Sequence, residues 1–120
     1  MILHGREVDF KMTVMAAGQI AKLCPKGQIK YLPKVLSGDV TDYDRILNTA
    51  KIIVYMSEGY ENNKKFEDPE YQTRPLSLDE VLSLEAAEFN ALQTLALKRF
   101  QGKREVESEP PKKENATALK

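Results

Sequence analysis

Residues 42–60, DYDRILNTAKIIVYMSEGY, decide the fold. Tyr43, Ile46, Leu47, Ala50, Ile53 and Val54 recur at helical spacing and form one continuous apolar stripe. Ile52, Met56 and Tyr60 form a second. A helix apolar on two faces is surrounded by its domain rather than lying on its surface. This stretch therefore predicts a central helix, with the remaining elements packed around it. A dimer interface would give the same two-faced pattern, and one dimension does not separate the two.

Upstream, residues 2–12 read ILHGREVDFKM. Val8, Phe10 and Met12 alternate with Glu7, Asp9 and Lys11, the period of a half-buried strand. Ile2 and Leu3 form its partner, with His4-Gly5 in the turn, where glycine supplies a positive φ. A two-stranded ribbon is marginal alone, so this hairpin must pack on the helices that follow. Thr13 caps a helix over residues 14–24, whose inner face holds Ala16, Ile20, Leu23 and Cys24. Pro25 ends it, because the residue before a proline avoids the α region. In residues 28–37, Ile29, Leu32 and Leu36 keep helical spacing around a dissenting Pro33. An interior proline costs about 3 kcal/mol or more, so this helix is kinked or begins only near Leu32. Ser37-Gly38 closes it.

Downstream, residues 61–76 are polar and interrupted by Pro69 and Pro75, which predicts a long connection pinned by Phe66 and Tyr71. Ser77 and Glu80 make a capping box for SLDEVLSL. Ser83 caps the last helix, on which Leu84, Ala87, Ala91 and Leu95 share a face widened by Phe89, Leu92, Ala96 and Phe100. Gly102 stops it. Beyond lies GKREVESEPPKKENATALK, with Val106 and Leu119 its only large apolar residues. That composition predicts disorder. The expected fold is thus mainly α: a compact helical domain over residues 1–101 with a short N-terminal β-hairpin, and a disordered charged tail over 102–120.

Composition narrows the function. The chain has 120 residues, enough for one domain, with 42% hydrophobic and 30% charged residues. Eighteen basic and 18 acidic residues cancel, so there is no basic excess to neutralise phosphates. Nucleic acid is not the expected partner. No segment approaches about 18 consecutive apolar residues, so no membrane span is expected. The opening MILHGREVDF does not read as a signal peptide. The single cysteine allows no internal disulfide, in keeping with a reducing cytoplasm.

No catalytic constellation emerges. His4 is the only histidine and reads as a turn residue, without metal-ligand spacing around it. Cys24 lies on an apolar helix face and reads as a packing residue. The six glycines are scattered and make no phosphate cradle. Asp42, Asp44, Asp79 and Glu80 sit at helix starts, where they complement the macrodipole. No catalytic, cofactor-binding or metal-binding residue is expected, and the chain does not read as an enzyme. The aromatics Tyr55, Tyr60, Phe66 and Tyr71 carry two readings: they hold the connection down, or part of the set forms an exposed contact surface.

The order of elements resembles a known family. The hairpin Gly5-Arg6-Glu7-Val8-Asp9-Phe10-Lys11 runs through Met12-Thr13 into a helix, and a central apolar helix follows. A late S-L-D-E-V-L turn, residues 77–82, then leads to E-F-x-A-L at residues 88–92. This pattern, over about residues 1–101, resembles the tail assembly chaperones of long-tailed phages and of prophages in Gram-positive bacteria. Pro33 is a departure. The resemblance implies a non-enzymatic protein that binds the tape-measure protein and keeps it soluble until tail tube subunits polymerise around it. It implies a place in the bacterial cytoplasm and absence from the mature virion. Tyr55, Tyr60, Phe66, Tyr71 and Phe89 are the expected partner-binding residues, and self-association is a further possibility. Family members are often made in two lengths by a ribosomal frameshift, which codons for Pro111-Lys112-Lys113 would permit. The alternatives are a small helical adaptor or regulatory module unrelated to phage and, third, a helix-turn-helix DNA binder built on residues 14–24 and 28–37.

Overall fold

The computed structural model describes residues 1–37 and 40–108, with side chains described as far as Gln101. The order of elements is β1 (Ile2–Leu3), β2 (Arg6–Glu7), α1 (Val14–Lys22), α2 (Leu32–Leu36), α3 (Asp42–Glu67), α4 (Leu78–Leu82) and α5 (Ala86–Ser108). Short 3₁₀ turns at Pro25–Gly27 and Ile29–Tyr31 join α1 to α2. The protein is mainly α with a short N-terminal hairpin, as its periodicity predicts. The disorder expected over residues 102–120 gives way to helical backbone as far as Ser108; its remainder, residues 109–120, and the role of Gly38 lie outside the described residues.

The hairpin is antiparallel, with Ile2 opposite Glu7 and Leu3 opposite Arg6. Its two-residue turn has positive φ at both His4 (51°) and Gly5 (82°), the geometry that matches strand twist. The second strand is shorter than the alternation suggests. After Val8, whose N–H donates to the Met1 carbonyl at 2.8 Å, the chain leaves the ladder and crosses α3. There the Lys11 N–H donates to the Met56 carbonyl oxygen at 3.1 Å. Val8 and Phe10 are buried, as their spacing predicts, but the surface that buries them is a helix rather than another strand. Gly59 makes this crossing possible, because a Cβ there would overlap the Lys11 carbonyl oxygen.

Capping fixes most helix starts. Thr13 Oγ1 accepts from the Ala16 N–H at 3.1 Å, and Thr41 Oγ1 accepts from that of Asp44 at 3.1 Å. Ser77 and Glu80 form the predicted capping box, with reciprocal bonds of 3.1 and 2.9 Å. Pro33 falls in the first turn of α2, where its missing N–H costs nothing, so the helix starts at Leu32.

Three boundaries differ from expectation. α3 runs to Glu67 instead of ending near Tyr60. Residues 61–67, ENNKKFE, are polar but hold no proline or glycine, so their polarity marks a solvated helical surface rather than a connection. Asp68 ends the helix with extended backbone before Pro69. Ser83 closes α4, its N–H donating to Asp79 O at 3.1 Å, and does not open the last helix. α5 begins at Ala86, where Glu88 Oε1 accepts the Glu85 N–H at 3.2 Å. Its backbone passes through Gly102, a residue that costs about 1 kcal/mol in a helix interior without forcing a stop.

The core gathers around the middle of α3. Ala50, Ile53 and Met56 are at most 1% exposed and meet Phe10, Ile20 of α1, Val81 of α4 and Leu92 of α5. The first turns of α3 stand apart: Tyr43 and Ile46, expected in the buried stripe, are 72% and 48% exposed. The stripe is continuous in sequence, but the elements that cover it reach only its later half.

Candidate functional site

The five expected contact residues do not form one surface. Tyr55 and Phe89 are half-buried and pack on the core. Tyr60 and Tyr71 come together around Lys64, whose ammonium lies 5.6 and 4.7 Å from their ring centroids. Phe66, on the last turns of α3, is 86% exposed and pins nothing.

Tyr71 does hold the connection after α3, through a residue the sequence reading passed over. Glu61 is buried, and its Oε1 accepts from the Tyr71 hydroxyl at 2.7 Å and from the Arg74 N–H at 2.8 Å. The hydrogen bond to Glu61, together with burial and the carboxylate charge, pushes the Tyr71 phenol up to about 12. One helical turn earlier, buried Ser57 accepts the Leu76 N–H at 2.8 Å. Arg6 of β2 reaches the same region, donating to the Arg74 carbonyl and, at 3.4 Å, to Glu80. The Ser77 N–H bond holds the Glu80 carboxyl below the usual carboxylate range, with Arg6 adding to the effect. The arrangement fixes the backbone of residues 74–76 against α3 and β2.

A second ionic anchor joins the crossing segment to α5. Arg99 clasps Asp9 with Nε–Oδ1 at 2.8 Å and Nη2–Oδ2 at 3.1 Å. Burial works to raise the Asp9 carboxyl, but the Arg99 bond and charge and the Phe10 N–H outweigh it and hold it below its ordinary value. His4 pairs with Glu88 of α5 at 2.7 Å, in the turn where the sequence placed it. Cys24 is buried, its Sγ 3.5 Å from the Ile20 carbonyl, and burial pushes its thiol up, away from nucleophilic use.

Part of the α3 surface is open. A cleft of about 1760 Å³ runs between α1 and α2 on one flank and α5 on the other, with α3 as its floor. Ile29, Leu32 and Leu36 form one wall, Phe89, Leu97 and Phe100 the other, and Ile46 and Ile52 lie between. Of the five expected contact residues, Phe89 alone lines it. Leu97 is 55% exposed and belongs to neither face read for the last helix, a signal available in the sequence. Small-molecule sites are typically about 300–1,000 Å³, so this cleft has the scale of a docking groove.

Among the described residues, no helix is long and apolar enough to cross a membrane, and no group of three or more His, Cys, Asp or Glu side chains could hold a metal ion. Against known proteins, no family, no curated sequence and no solved structure matches this chain. What it does has to be argued from the cleft.

Proposed function

We propose that this protein is a non-enzymatic tail assembly chaperone of a long-tailed phage or prophage, which binds the tape-measure protein and keeps it soluble while the tail assembles. It acts in the bacterial cytoplasm and leaves before the virion is complete, handing its client over to the tail tube subunits. The observation that supports this reading is the long apolar cleft over α3. A cylinder about 10 Å across and about 22 Å long, four helical turns, occupies about 1,700 Å³, close to the volume of the cleft. A long helical client with repeated apolar stripes offers many such four-turn segments, and an apolar groove accepts them without demanding one sequence. Helix-turn-helix recognition has less support, because α2 has only five residues and two 3₁₀ turns intervene before it.

The test begins with the DNA through codons 106–120 and the shifted reading frame beyond them. A very long helical gene downstream then supplies the client for co-expression. The client is expected in the soluble fraction only alongside this chain, and Ile46→Glu with Leu97→Glu is expected to return it to the pellet. A client that sediments equally with and without the chain would overturn the proposal.

A further inference from the structure

Among the described residues, the charged side chains of the cleft carry one sign. Lys11, Lys30 and Arg45 line it, and among the described residues no aspartate or glutamate does. Composition does not explain this bias, since the chain holds 18 residues of each sign. The three cations come from separate elements: the segment that crosses α3, the 3₁₀ turn before α2, and the first turn of α3. All three are exposed.

They are also available. Lys11 Nζ donates to the neutral Asn63 Oδ1 at 2.7 Å, and Lys30 Nζ stands 5.3 Å from the Tyr31 ring centroid. Neither makes an ion pair among the described residues. Arg45 pairs with Asp42 at 2.8 Å, an exposed contact one helical turn away that a partner carboxylate displaces at little cost. Long basic side chains at an apolar margin lay their stems on the lining and keep their charged ends in water.

We propose that the cleft selects an amphipathic helix whose apolar stripe is flanked by acidic residues. The inference rests on the reading that a helical partner segment occupies the cleft, and adds the chemistry by which that segment is chosen. The stripe supplies buried area, while the acidic flanks meet Lys11, Lys30 and Arg45 and set register and encounter rate. A helix with basic flanks meets like charge and is rejected. Within a long helical client, only acidic-flanked stretches are held, and the selection weakens as salt rises.

Two helix-stabilised peptides of about four turns test this, sharing one apolar stripe and differing only in glutamate or lysine flanks. Fluorescence anisotropy against the full chain is expected to show the glutamate peptide binding about tenfold tighter at low ionic strength, with the gap closing at high salt. Lys30→Glu with Arg45→Glu, at unchanged circular dichroism, is expected to reverse the order. Equal affinities, a preference for lysine flanks, or no binding of either peptide would overturn the inference. So would sedimentation showing self-association that the peptides compete away, since a second copy would then be the occupant. The two proposals fail separately. A client kept soluble without any acidic preference removes this inference and leaves the chaperone reading. An acidic preference with no effect on the client does the reverse.

Discussion

The two sides of α3 are built on different principles. On one side the neighbours are fastened by directional bonds: Ser57 Oγ takes the Leu76 N–H, and Glu61 Oε1 takes the Tyr71 hydroxyl and the Arg74 N–H. On the other, Ile46 and Ile52 face the apolar walls of the cleft. Directional bonds specify one arrangement, because each buried polar atom left unpaired costs about 1–3 kcal/mol. Apolar contact carries no such demand. The closed side therefore fixes the architecture, and the open side tolerates a changing occupant.

Four measurements would break or sharpen that contrast. Phe10→Ala empties a core site that is 2% exposed and should lower unfolding stability by about 3–5 kcal/mol in a urea titration. A loss under about 1 kcal/mol would mean that the crossing segment does not cover the core. Gly59→Ala forces the Lys11 carbonyl away from α3 and should cost about 1–3 kcal/mol, although alanine is the better helix former. A gain in stability would show that no close crossing exists.

The third concerns Tyr71. Its folded value of about 12 lies above the ordinary phenol, so the folded state holds this proton more tightly than the unfolded chain. The stabilisation is complete below about pH 10 and is lost as pH rises from about 10 to about 12. Phenolate absorbance should show Tyr71 titrating late, and Glu61→Gln should bring it down toward the ordinary phenol value. The smallest effect belongs to the open side. Ile46→Ser and Leu97→Ser should each change stability by no more than about 0.5 kcal/mol while weakening client binding. A large stability loss there would make the cleft a part of the core.

The same contrast divides what the sequence made legible from what it hid. The hairpin turn, the Thr13 cap, the Ser77–Glu80 box and the displaced start of α2 at Leu32 each rest on local chemistry, and each is where the pattern puts it. The reach of α3 is not legible because polarity over residues 61–67 resembles that of a connection, whereas the helix stops only at Glu67, ahead of Pro69. The burial of Glu61 is hidden because a glutamate beside Asn62 and Asn63 reads as solvated, and its burial depends on a loop that returns from residues 71–74. The cleft was hidden for a related reason. Periodicity marks Ile46 as apolar and helical, but whether another element covers it depends on where α2 and α5 lie. Phe89 was the one expected contact residue to reach the cleft, and exposed Leu97 went unread beside it.

The crossing at Gly59 has a consequence in time. The hairpin segment leaves the ribosome before α3, and Met56, which receives the Lys11 N–H, is made about 45 residues later. At about 5–20 residues per second, the hairpin waits for several seconds with nothing to dock on. The clasp between Asp9 and Arg99 spans 90 positions and closes later still. Residues translated before α3 thus settle after it, and a slow folding phase should follow the arrival of α3 and α5 rather than formation of the hairpin.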